Sequence, residues 1–337
     1  MNERQIIQYL SERAGGADSR ILQSIGDDCA VIDQGGGRVL LLTMDTLIEG
    51  VHFDCALHPP RLLGRKVVSV NISDIGAMGS RPHALLLSLG LPPSFDEQWF
   101  RCFADGLTDA CRDYGCRLIG GDTVASPQGI NCSVTVLGEM EMDRVVYRSG
   151  AQPGDTIWVS GPLGFAAAGL ELLRLGVGQD EDWAAPLIRR HLDPMARVEL
   201  GGQLAESGLV HAMIDLSDGL ATDLAHLCHQ SKTGALIRGH DLPGLSRLIE
   251  AGRYVPGDPF QWAVAGGEDF ELLFTAAATV SEEILAVGQR CNLEPVAIGT
   301  ITTGSAVRLV QPLADGAVRE VDITYQGYDH FRDKSGS

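Results

Sequence analysis

Six acidic turns punctuate the sequence: GDD (26–28), TMDT (43–46), NISD (71–74), GGDT (120–123), DLSD (215–218) and GGED (266–269). Most follow an apolar run, which sets them at strand ends or helix starts, where α/β proteins gather their ligands. Taken singly, each is also explained as a turn or a helix cap, because an Asp side chain satisfies free backbone N–H groups. Asp74 is the exception, since it lies inside a strongly helical segment, where Asp is a poor residue without a partner. Six such sites brought together would repel one another unless cations stood between them. Hard oxygen donors with no His/Cys cluster select Mg²⁺ or Mn²⁺ over zinc, and Mg²⁺ held by a few carboxylates keeps positions open for phosphate oxygens. The pattern therefore predicts a nucleotide site in which metals carry the negative charge of both partners. The usual phosphate fingerprints are missing: there is no G-x-x-x-x-G-K-[ST], and no G-x-G-x-x-G follows a strand.

The elements that must position these turns follow from periodicity. A short helix is expected over 3–14, ended by Gly15 and Gly16, and a β-rich run over 38–46. Leu62, Leu63, Val67, Val70 and Ile75 recur at near-helical spacing behind Pro59 and Pro60, predicting a helix over 59–79 that carries Asp74. ALLLSLGL (84–91), stopped by two prolines, reads as a buried strand, and a helix follows from about Phe95 to Tyr114. CRLIGGDT and INCSVTVLGEM read as strands. RSGAQPGD (148–155), punctuated by Gly150, Pro153 and Gly154, is the expected boundary, giving domains of 1–147 and 148–337. Beyond it, TIWVSG, AMIDLSDG and VAIGTIT read as strands, GFAAAGLELLRLG, PMARVELGGQLAESG and LATDLAHLCHQS as helices, and AVAGGEDFELLFT as a turn and a strand. Both halves are thus α/β.

With 337 residues, 45% of them hydrophobic and 21% charged, the chain has the composition of a globular protein large enough for two cores. A net charge of −18 with no cationic cluster excludes phosphate-backbone binding, so nucleic acid is not an expected partner. No apolar run approaches the roughly 18 residues that span a bilayer, and the first residues lack the apolar core of a signal peptide. Eight cysteines without a C-x-x-C pair read as reduced thiols, so the expectation is a cytoplasmic protein without a membrane partner.

Eight ordered motifs go further. SIGDDCA, TMDTLIEGVHF, NISDIGAMG, LIGGDT, RSGAQPGD, IDLSDGL, GGEDFEL and GYDHF span residues 24–331, and in this order they resemble the thiamine-monophosphate kinase family. The resemblance implies an α/β (α+β) protein with the two-domain aminoimidazole ribonucleotide synthetase-like fold. In that fold the N-terminal sheet pairs with a second subunit's into a barrel and a C-terminal α/β domain follows. It implies a homodimer that moves the γ-phosphoryl of ATP onto thiamine monophosphate, with several Mg²⁺ ions. A non-catalytic Mg²⁺- or nucleotide-binding regulator, or a related ATP-dependent synthetase, is the alternative.

Carried over position by position, the resemblance assigns metal to Asp28, Thr43, Asp45, Asp74, Asp122, Asp215 and Asp218, with Asp27 beside them as a weaker candidate. It assigns ATP to Gly121, Asp122, Arg148 and Ser217, and the acceptor to His52, Glu268 and Tyr325. Asp74, Asp122 and Asp218 are expected to matter most, and no residue is needed as a general base. The family often has a nucleotide-touching Tyr in the helix where this chain offers Phe103. Lys66 is unassigned, and His226 and His229, spaced i, i+3, read as polar-face residues.

Overall fold

A computed structural model describes residues 1–14, 18–312 and 318–331; Gly15 and Gly16 lie outside them. The N-terminal half contains α1 (Glu3–Ala14), β1 (Ile21–Gln23), β2 (Ala30–Gly35), β3 (Arg38–Ile48), α2 (Pro60–Ala77), β4 (Pro82–Leu91), α3 (Glu97–Asp113), β5 (Arg117–Ala125) and β6 (Asn131–Glu141). Its six strands form one sheet in the order β1-β2-β3-β6-β4-β5, antiparallel except for the β4–β5 pair. The C-terminal half continues with β7 (Thr156–Val159), α4 (Phe165–Leu175), α5 (Ala185–Leu192), α6 (Val198–Ser207), β8 (Val210–Asp215), α7 (Leu220–Ser231) and β9 (Gly234–Arg238). It ends with α8 (Leu245–Ala251), α9 (Pro259–Ala265), β10 (Leu272–Ala276), α10 (Ser281–Arg290), β11 (Val296–Thr302), β12 (Val307–Pro312) and β13 (Val318–Asp322). Seven strands pair there in the order β13-β12-β9-β11-β7-β10-β8.

The central object is α2. Val39 and Leu41 of β3 and Cys132, Val134 and Val136 of β6 sit fully buried on the helix-covered face of the first sheet. Strand side chains alternate, so Thr43 and Asp45 continue the Val39–Leu41 face. That face thus turns from apolar to acidic toward the end of the strand. On its other sides α2 meets α3 and α6. A Cβ on Gly106 would lie 1.8 Å from the Arg61 carbonyl, and one on Gly201 would lie 2.0 Å from the Gly76 carbonyl. Only glycine admits helices this close, and the closeness of α6 brings the second domain against α2 beside Asp74.

Two expected segments differ in detail. PMARVELGGQLAESG is helical only from Val198, because Arg197 stands outside helical geometry at φ −88°, ψ 42°. Ala263–Ala265 end α9 rather than opening a turn, since Asp258 caps that helix through the Phe260 N–H and Pro259 sits in its first turn. The Ala/Gly-rich α4 packs closely on α5, where a Cβ at Gly169 would lie 2.1 Å from the Leu187 carbonyl. One ion cluster locks the second domain. Glu271, 0% exposed, receives Arg197 Nε at 2.7 Å and Nη2 at 2.5 Å, and also Arg190 Nη1 and the Ser160 hydroxyl.

Candidate active site

Asp28 stands just ahead of β2, Asp74 on α2 and Asp215 at the end of β8. One carboxylate oxygen from each lies within 4.8 Å of the others. Asp28 Oδ2 and Asp215 Oδ2 are buried without any hydrogen-bond partner, which is costly for carboxylates unless a cation completes the site. The donors are all oxygens, as a hard divalent ion requires. Thr43 donates its hydroxyl to Asp74 Oδ2, and the Asp45 N–H donates to Asn71 Oδ1 at 2.8 Å, so β3 and one face of α2 are stitched together at the centre.

Arg148 closes the acidic cluster from the interdomain connection. Its Nη2 and Nε lie 2.5 and 3.1 Å from Asp28 Oδ1, and its backbone N–H reaches both Asp27 oxygens at 3.2 Å. Asp27 is therefore turned toward the backbone of Arg148 and is not among the three converging carboxylates. The turn after β8 is held by Asp223, which accepts the N–H groups of Asp218 at 3.1 Å and Gly219 at 3.0 Å.

One cation does not neutralise this many acids. Burial, then the charges of Asp45, Asp215 and Asp28, push the Asp74 carboxyl well above its ordinary range. Burial and Asp28 raise Asp215 to about 8 and Asp27 to about 7. Asp218 rises to about 7 through burial, then Glu3 and Asp45. Such mutual elevation is what a metal's positive charge would relieve.

Beside the acidic centre lies a second group of polar residues. Glu268 has left-handed backbone, φ +68°, and its N–H donates to the Ser217 carbonyl at 2.8 Å, which joins the GGED turn to the DLSD turn. The Glu268 carboxylate pairs with Lys66 Nζ at 2.8 Å, and its other oxygen lies 3.3 Å from His191 Nδ1. His52 accepts the Ile48 N–H on Nδ1 at 2.9 Å, and its ring lies 5.1 Å from that of His330. The C-terminal segment crosses this region. The Tyr328 N–H donates to the Asp218 carbonyl at 2.9 Å, Tyr325 packs edge-on to His226 at 5.2 Å, and the Arg4 guanidinium of α1 lies 3.8 Å over the Tyr325 ring.

Residues 26–140 match the family described as AIR synthase related protein, N-terminal domain, and residues 152–311 its C-terminal domain. Among curated proteins, the chain is 38% identical to the thiamine-monophosphate kinase of Escherichia coli K12 over 334 residues, covering 98% of both. It is 35% identical to that of Haemophilus influenzae over 99% of both chains. Among solved structures, AaThiL complexed with AMPPCP and TMP matches with a TM-score of 0.81 and 34% identity over 94% of each chain. The chain belongs to the thiamine-monophosphate kinase family.

Of the positions the family likeness suggests, the structure gathers Asp28, Thr43, Asp45, Asp74, Asp215, Asp218, Arg148 and Ser217 around one centre, with His52, Glu268 and Tyr325 on its flank. It does not bring Gly121 and Asp122 there. Register runs Asp45 to Val134, Val134 to Leu87 and Leu87 to Gly121, so β5 is three strands removed from the acidic end of β3. Gly121 also has a packing duty, because a Cβ there would lie 1.8 Å from the Leu87 carbonyl. Phe103 is core: it is 1% exposed and stacks on Trp99 at 5.4 Å, so it offers the family's nucleotide nothing. His229 is exposed, but His226 backs Tyr325, and burial pushes its imidazole down to about 4, leaving it neutral. Lys66, His191, Asn71 and Asp223 also border this centre and have no role in the sequence reading. The one available signal was a charge placed within an otherwise apolar helical stretch, as at Lys66.

Proposed function

We propose that this chain transfers the γ-phosphoryl group of ATP to thiamine monophosphate, yielding thiamine diphosphate and ADP, with Mg²⁺ as its metal. The observation that carries the reading is the Asp28–Asp74–Asp215 trio, in which Asp28 and Asp215 are buried and each has a carboxylate oxygen lacking any protein partner. A relative of the same fold, AaThiL, is complexed with AMPPCP and TMP, which supports this donor and acceptor.

Bound Mg²⁺ would neutralise the oxygens of the two phosphate chains and so allow them to approach in line. Asp28, Asp45, Asp74, Asp215 and Asp218 would hold it, with Thr43 orienting Asp74 through its hydroxyl. Arg148, anchored by Asp28, keeps further N–H groups for a phosphate oxygen, and the Ser217 turn borders the same space. The acceptor is a phosphate monoester, already anionic at neutral pH, so no side chain has to remove a proton. Thiamine also carries a cationic ring. Glu268 supplies a counter-charge, the His52 carbonyl lies 3.4 Å from the same Lys66 Nζ that pairs with Glu268, and the Tyr325 ring, with the Arg4 guanidinium 3.8 Å over it, borders this region. Transfer is then direct. Labelled γ-phosphate supplied as ATP should leave no label on the denatured protein, and retained label would overturn direct transfer.

A homodimer and a cytoplasmic setting complete the reading. Every residue of β5 is exposed, with Leu118, Ile119 and Val124 at 43, 60 and 51%, on the edge of a sheet. Long exposed apolar edges are normally covered, and a second copy pairing there would bury them and bring Gly121 and Asp122 to a shared nucleotide site. Sedimentation at micromolar concentration should give twice the 36.0 kDa chain mass; a single-chain species would contradict the dimer. Among the described residues no helix is long and apolar enough to cross a membrane.

A further inference from the structure

Lys66 is among the largest fully buried side chains in the protein's described core, 0% exposed in the middle of α2. Burying an ammonium costs far more than burying a Leu or Met of similar size, unless the charge is paired and its protons are used. Here they are used at one place. Nζ lies 2.8 Å from Glu268 Oε1 and 3.4 Å from the His52 carbonyl, while His191 approaches the other Glu268 oxygen at 3.3 Å. Helix α2 and His52 belong to the first half of the chain, and Glu268 to the second. One buried charge therefore joins the two walls that flank the acidic centre.

What the buried charge holds is the side chain of Glu268. Glu268 and Phe270 both adopt left-handed backbone, at φ +68° and +51°, a conformation that non-glycine residues hold only where their surroundings impose it, most often at ligand clamps. The backbone of the turn is tied by the N–H of Glu268 to the Ser217 carbonyl at 2.8 Å and by the N–H of Phe270 to the Leu216 carbonyl at 2.9 Å, and Asp269 accepts the N–H groups of Gly164 and Ala166, so what Lys66 adds is a hold on the Glu268 carboxylate itself. The Glu268 side chain stays 27% exposed, so the carboxylate keeps access to solvent while Lys66 Nζ pairs with one of its oxygens and His191 Nδ1 stands 3.3 Å from the other.

We propose that Lys66 is a positioning residue for the phosphate acceptor, acting through Glu268, whose carboxylate it fixes in place and orients toward the acceptor's cationic ring. The inference rests on the reading that Glu268 faces thiamine monophosphate. Nucleotide binding, on the Asp28–Asp74–Asp215 side, does not depend on Lys66.

Steady-state kinetics of wild type, K66M, E268Q and K66M/E268Q, with ATP and thiamine monophosphate varied separately, test this. K66M should raise KM for thiamine monophosphate roughly 10–100-fold, the worth of a hydrogen bond to a charged group, and move KM for ATP by no more than about twofold. In the double variant KM for thiamine monophosphate should equal that of E268Q alone, because the residue through which Lys66 acts is already neutral. Unchanged KM in K66M, equal rises for both substrates, or a further rise in the double variant would each overturn the proposal. If unpaired Glu268 prevents K66M from folding, the comparison of E268Q with the double variant, in which no charge is left unpaired, decides by the same criterion. A wild-type protein inactive toward thiamine monophosphate would refute the underlying reading and the inference with it, whereas an active wild type with an unaffected K66M refutes the inference alone.

Discussion

Asp74→Asn should reduce turnover by about 10³-fold or more while leaving the fold intact. The carboxylate lies within 4.8 Å of Asp28 and Asp215 and accepts the Thr43 hydroxyl. Asn keeps the size and an oxygen for that hydroxyl, so the packing of α2 on the first sheet is preserved. What it removes is one negative charge from a group of carboxylates that repel one another. Without metal, therefore, the melting temperature of the variant should equal or exceed that of the wild type. The stabilisation that added Mg²⁺ confers on the wild type, which grows with ligand concentration over its dissociation constant, should shrink or vanish. The loss of rate follows from the electrostatic share of phosphoryl-transfer catalysis, where one misplaced charge costs several kcal/mol. Thermal melts with and without Mg²⁺, run alongside an activity assay, check both halves. An active Asp74→Asn protein, or one that fails to fold, would show that this carboxylate serves packing.

Glu271→Gln should have the opposite profile, a large loss of stability. Glu271 is fully buried between Arg190 and Arg197. Neutralising it strands two guanidiniums, a change that costs about 3–5 kcal/mol for a buried pair and roughly 6–20 °C of melting temperature for a domain of this size. The pH dependence has a definite sign. Burial would raise the Glu271 carboxyl, but the two guanidiniums overcome it and hold the group down at about 2. A depressed folded value means that the stabilisation is complete above the unfolded value of roughly 4.3. It is lost as pH falls through about 2. Melting curves of wild type and variant should therefore run parallel above about pH 5 and converge in stronger acid. A constant gap down to pH 2 would place the effect in shape instead of charge.

Much of this architecture was legible because it is local. The 3.6-residue recurrence over 59–79 marks α2 and shows Asp74 on it, and the acidic turns fall at strand ends because apolar runs precede them. What the sequence left open depends on partners distant along the chain. The apolar residues of β5 mark a strand, but only the sheet order shows it to be an edge, three strands from Asp45. Phe103 looks like a neighbour of the nucleotide until α3 packs on α2 through Gly106 and turns it into the core. Lys66 reads as one more helix charge until α2 is packed between the first sheet, α3 and α6, when its charged partner is a glutamate in the other half of the chain. Asp27 and Asp28 form a doublet that residue type alone does not separate, and only the family likeness favours Asp28; in the structure Asp28 converges on Asp74 and Asp215 while Asp27 binds the Arg148 backbone.

The central claim is Mg²⁺-dependent phosphorylation of a phosphate acceptor, and the most direct measurement offers ATP with thiamine monophosphate or free thiamine, each with and without Mg²⁺. The account predicts thiamine diphosphate from the monophosphate alone, and only when the metal is present. Equal turnover without a divalent cation, or no product from a protein that still binds ATP, would contradict it.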